Sequence, residues 1–132
     1  MITRADLRKT SREYLAAAAI LRDGQKYDVS VYLCGYAVEI ALKDRICRVL
    51  RWQGFPSTKK DFEGLSSFKT HNLELLLQMS GADYKIGPAL TGYWSVVTRW
   101  DPEQRYSPRW TTTQADADEM IAAVENIMKV IL

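Results

Sequence analysis

The run from Tyr27 to Trp52, YDVSVYLCGYAVEIALKDRICRVLRW, carries apolar residues on every side of a helix. Leu33, Tyr36, Ala37, Ile40 and Cys47 lie on one side at spacings of three, four and seven residues, and Val31, Val38, Leu42, Ile46 and Val49 do so on the other. A helix without a wet face has to be surrounded, so this segment is expected to be the central post of a helical bundle. Glu39 and Lys43 lie inside it, four residues apart with the acid first, the favourable order for a helical ion pair. Their placement in an apolar helix has two readings. Buried charges are costly and often mark function, whereas a structural ion pair reaching Arg99 or Arg105 on a neighbouring element needs no ligand.

Five helical segments can be drawn and none reads as a strand. The first runs from about Arg4 to Asp23, opened by Thr3 with Asp6 three residues on and closed by Gly24. Asp28 is placed to cap the second, which Gly54 and Pro56 stop near Trp52. Residues 53–69 are polar and aperiodic, a loop with room for one turn around Phe62. A short third helix covers roughly His71 to Met79 and ends at Gly81. The fourth is expected from near Pro88 and carries Leu90, Tyr93, Trp94, Val97 and Trp100 along one face. Asp101 to Trp110 holds two prolines and cannot prolong it. Thr113 and Asp116 form a capping box that opens the last helix, whose face is Met120, Ile121, Val124, Ile127, Met128 and Ile131. The pattern predicts an all-α, antiparallel up-and-down bundle of four long helices plus a short one, as a single domain over residues 1–132.

Three pieces of the chain resemble the HEPN family of small all-α domains. The block Gly35 to Lys43, GYAVEIALK, looks like that family's second helix. His71-Asn72-Leu73 followed by Leu75-Leu76-Leu77 is similar to its H-x-L start of a third helix. Trp100-Asp101-Pro102 with Arg105-Tyr106 is similar to its turn before the last helix. The pieces stand in the family's order over about 80 residues. The resemblance implies a homodimer in which the segments Arg99 to Trp110 of two copies approach each other, and a minimal nucleotidyltransferase as a partner. It also implies a function in RNA or nucleotide biology.

Many members of that family are metal-independent ribonucleases built on an R-x(4–6)-H motif. Such chemistry needs a proton-transferring group near the 2′-hydroxyl and a cation for the charge on phosphate. The matching arginine here is Arg99, and the three positions where the histidine would stand hold Gln104, Arg105 and Tyr106. Arginine stays protonated and cannot act as a base, and tyrosine is a poor one at neutral pH. Arg99, Arg105 and Arg109, interleaved with Trp100, Tyr106 and Trp110, can instead offer phosphate donors and stacking rings. The alternative is that Trp100 and Tyr106 complete the core while the arginines pair with acids. The expected function is therefore a non-catalytic module binding RNA, a nucleotide or a nucleotidyltransferase. The competing readings are a ribonuclease toxin of a nucleotidyltransferase pair with a degenerate motif, and a purely structural dimeric bundle.

His71 is the only histidine, and its place at the start of a helix points to capping or packing before catalysis. With one histidine and two cysteines thirteen residues apart on one helix, no metal cluster can be assembled. That spacing puts Cys34 and Cys47 roughly 20 Å apart, too far for a disulfide. Seven scattered glycines contain no phosphate loop, and no cofactor is expected. The formal net charge of +2 permits an acidic partner without demanding one. No apolar run reaches the ~18 residues of a membrane span, and MITRADLRKTSREYL lacks the apolar centre of a signal peptide, so a cytoplasmic location is expected.

Overall fold

The computed structural model describes residues 1–103 and 111–132. In chain order these form β1 (Ile2–Thr3), α1 (Arg4–Asp23), α2 (Tyr27–Leu50), β2 (Gly54–Phe55), α3 (Leu73–Ser80), α4 (Thr91–Val97) and α5 (Gln114–Ile131), with single 3₁₀ turns at Ser66–Phe68 and Asp83–Lys85. The architecture is all-α apart from the two-residue strand pair. The four long helices expected are three, since α3 and α4 have eight and seven residues.

Cross-helix hydrogen bonds fix the register of the α1–α2 hairpin. Arg4 Nε donates to Asp44 Oδ1, Ser11 Oγ to the Ala37 carbonyl at 3.0 Å, and Ser30 Oγ to the Ala18 carbonyl at 2.7 Å. In each pair the residue numbers sum to 48, the signature of an antiparallel pairing without slippage. Ser11, Ala18, Ser30 and Ala37 are small and buried, so each helix can bring its backbone carbonyls within reach of the other's hydroxyls. α5 also runs antiparallel to α1, as Arg22–Asp118 at one end and Ser11–Met128 at the other show. Against α2, however, α5 is parallel: Thr112 N–H donates to Asp28 at the start of both, and Arg45 donates to the Ile131 carbonyl at the end. The bundle is thus not up-and-down throughout, because α3 and α4 carry the chain back to the starting end of α2.

Burial of α2 follows the sequence pattern through its middle. Cys34, Ala37, Val38, Ala41, Leu42, Ile46 and Cys47 are fully enclosed, packed by α1, α3, α5 and β2. Val49 and Leu50 are exposed, because in the observed register α1 begins opposite Asp44 and leaves the last turn of α2 without a neighbour on that side. Cys34 and Cys47 are free thiols. Burial, then the field of Glu125, pushes the Cys34 thiol up to about 12, and burial, then Asp44, pushes Cys47 up to about 11. Both act as apolar packing groups.

Several boundaries differ from the expected ones for local reasons. Asp28 does not cap α2. Lys26 holds that position without a side-chain bond, and Asp28 is spent on Thr112. α2 stops at Leu50 because Arg51 turns left-handed (φ 59°) and donates its N–H to the Cys47 carbonyl. α3 starts one residue after Asn72, whose side chain accepts the Leu75 N–H, so His71 precedes the helix. The strand pair joins Ile2 to Phe55 and Thr3 to Gly54. Gly54 permits it, since a β-carbon there would stand 2.5 Å from the Ile2 carbonyl oxygen. Two residues are too few to show an alternation. Among the described residues no helix is long and apolar enough to cross a membrane.

Leu42 is fully buried at the centre of this packing. Leu42→Ala is expected to cost about 2–5 kcal/mol, read as a fall in the urea midpoint at unchanged slope. A loss below about 1 kcal/mol would contradict the central placing of α2.

Candidate ligand site around Trp100

The fourth expected helix ends early, and its last aromatic residue does the most for the site. After Val97 the chain leaves the helix, and Trp100 N–H bonds the Val97 carbonyl at 3.1 Å. The Trp100 indole is thereby laid onto α2 at Gly35. A β-carbon on Gly35 would fall 2.1 Å from the indole ring atoms, so only glycine admits the ring there. Trp100 Nε1 donates to the Tyr32 carbonyl at 3.1 Å, and Tyr36 meets the ring edge-on with centroids 5.1 Å apart. Trp100 is 7% exposed. Of its two expected roles, completing the core is the one its burial supports, and it offers no open face for a base to stack on.

One turn further along α2, Glu39 is 2% exposed and shared by two partners. Lys43 Nζ donates to its Oε2 at 3.2 Å, and His71 Nδ1 donates to its Oε1 at 2.6 Å. A carboxylate oxygen carries no proton, so this contact places the histidine's proton on Nδ1. The Lys43 ammonium also lies 5.2 Å from the Phe55 ring centre. The expected reach of Glu39 to Arg99 or Arg105 is replaced by this arrangement as far as Arg99 goes: Arg99 turns the other way and pairs with Glu119 of α5 at 3.1 Å. His71 is neither the α3 cap nor buried packing. Its side chain is 56% exposed, and it meets Tyr36 edge-on at 6.1 Å.

Trp100 lines two cavities. One, of about 430 Å³, is lined by His71, Asn72, Glu74, Thr98 and Pro102 as well as by Trp100. Glu74 there accepts the Trp94 Nε1 hydrogen at 2.6 Å. The other, of about 250 Å³, has Arg99, Thr111, Thr112, Asp116 and Glu119 in its wall. The Asp116 carboxyl is held below its ordinary range by the Thr113 backbone N–H and hydroxyl of the capping box. Arg105, Tyr106 and Arg109 lie outside the described residues. The two ends of the segment that holds them are nevertheless fixed, by Trp100 to Tyr32 and by Thr112 to Asp28, both in the first two turns of α2. Among the described residues no group of three metal-ligating side chains occurs.

Some of this leaves a trace in the sequence. Gly35 inside a long apolar helix is destabilising unless something must approach closely, and that was its signal. Glu74, three residues after His71, shares its end of a helix. The Asp28–Thr112 bond, spanning 84 residues, leaves no local trace. Comparison with family models, with curated proteins and with solved structures gives no match.

The three-residue charge cluster makes an ordered prediction. Lys43→Met strips Glu39 of its cation and is expected to cost about 3–5 kcal/mol, as breaking a buried ion pair does. His71→Ala leaves the ion pair in place and is expected to cost about 1.5 kcal/mol, the loss of one charge-assisted hydrogen bond. Urea unfolding that ranks His71→Ala above Lys43→Met would contradict the assignment of Lys43 as the main counter-ion.

Proposed function

We propose that the chain is a HEPN-type helical module that binds RNA or a nucleotide through its phosphates and does not cut it. The observation that carries this reading is the anchoring of both ends of one arginine-bearing segment at a single cavity. Arg99 and Trp100 stand where the segment begins, Thr111 and Thr112 where it ends, and all four line the same 250 Å³ space. The sequence between them adds Arg105 and Arg109. Arginine presents forked donors suited to phosphate. The Arg99 and Glu119 side chains are 70% and 52% exposed, so their ion pair is a weak surface contact that a phosphate can displace.

The non-catalytic part of the reading rests on the missing base. Positions 104–106 hold no histidine, and the one histidine of the chain lines the other cavity. A second copy of the chain and a minimal nucleotidyltransferase are the partners that the family resemblance suggests for such a module.

Binding of a labelled single-stranded RNA, followed by fluorescence anisotropy at rising salt, tests this. Affinity is expected to fall steeply with salt, and Arg99→Ala to weaken binding and flatten the slope by about one unit. Metal-free cleavage of the RNA, abolished by Arg99→Ala, would overturn the non-catalytic reading. Binding insensitive to both salt and Arg99→Ala would overturn the phosphate reading.

A further inference from the structure

We infer that the cavity between His71 and Trp100 is a ribose-reading subsite, in which His71 Nε2 accepts a hydrogen bond from the 2′-hydroxyl of a ribonucleotide. This rests on the phosphate reading of the neighbouring cavity. The buried Glu39 carboxylate takes the Nδ1 hydrogen at 2.6 Å, so the lone pair of the neutral imidazole form lies on Nε2, for which the described residues supply no donor. A half-exposed imidazole held at one nitrogen by a carboxylate that is itself tied to Lys43 is a fixed acceptor.

The rest of the wall selects for a neutral donor over an anion. Glu74 gives one oxygen to Trp94 and brings a further acceptor to the cavity, which no lysine or arginine lines among the described residues, whereas Arg99 stands with Asp116 and Glu119 in the wall of the other. Pro102 supplies apolar surface for the carbon side of a sugar. At about 430 Å³ the space lies within the range of small-ligand sites. Trp100 lines both cavities, so a phosphate at Arg99 and a sugar at His71 would share one wall residue. The 2′-hydroxyl is the group by which a protein distinguishes RNA from DNA, and arginine contacts to phosphate do not make that distinction.

The test compares one labelled twelve-nucleotide single strand as RNA and as DNA, with deoxyuridine in place of uridine, on the full chain. The RNA is expected to bind about three- to tenfold more tightly, the worth of one accepted hydrogen bond. His71→Ala, which leaves the Glu39–Lys43 pair intact, is expected to remove that preference while DNA binding and its salt slope stay unchanged. Glu74→Ala, away from the Glu39 cluster, is expected to reduce the preference by itself. Competition by adenosine 5′-monophosphate but not by its 2′-deoxy counterpart would place the ligand among free nucleotides; competition by neither, with the RNA preference retained, would place it among polymers. Equal binding of RNA and DNA, or an equal loss of both in His71→Ala, overturns the ribose subsite and leaves the phosphate reading standing. Binding of neither strand overturns both.

Discussion

Trp100 reaches the core only because Gly35 has no side chain, and the return of the chain from α3 and α4 to α2 is organised by that contact. The indole replaces a helix turn as the means by which the end of α4 is attached. Its N–H satisfies a carbonyl of the first turns of α2, and its ring carries Tyr36 with it. Thr112, at the far side of the same segment, is tied to Asp28 one turn away from Tyr32. α5 therefore starts beside the start of α2 and runs parallel to it. A glycine in mid-helix costs roughly 0.5–1 kcal/mol against alanine, and here that cost is offset by burying the largest of the side chains.

The second constraint is electrostatic. A fully enclosed carboxylate in the central helix of the chain has to be neutralised where it stands, and Lys43 does this one turn along the same helix. The remaining oxygen is used on His71, which stands at the surface. A group that is costly to bury thus becomes the rigid support for one that is exposed. Two environments meet at Trp100, a mixed one where Arg99 stands with Asp116 and Glu119 and an acceptor-bearing one at His71 and Glu74.

The long helices were legible because their signals are local. α1, α2 and α5 declare themselves by sustained apolar spacing, and the Thr3 cap and the Thr113–Asp116 box mark two of their starts. α4 is shorter than its pattern because Leu90, Tyr93, Trp94, Val97 and Trp100 keep helical spacing across the point where the chain stops being a helix. Periodicity reports which residues seek the core, and Trp100 does so by another backbone path. Of the site, the Glu39–Lys43 pair was readable from its spacing. The partner that completes it was not, since His71 lies 32 residues away and only the α2–α3 packing brings it there. Asp28 looked like a helix cap by position and type, and the distant Thr112 N–H claimed it.

The claim that Gly35 is glycine in order to seat Trp100 is tested most directly by making Gly35→Ala in two backgrounds and measuring urea stability in each. In the wild-type chain the new methyl meets the indole, and a loss of about 1–3 kcal/mol is expected. In a Trp100→Ala background the obstruction is gone and only helix propensity remains, so the same substitution is expected to stabilise by about 0.5–1 kcal/mol. An effect of the same sign and size in both backgrounds would contradict the account.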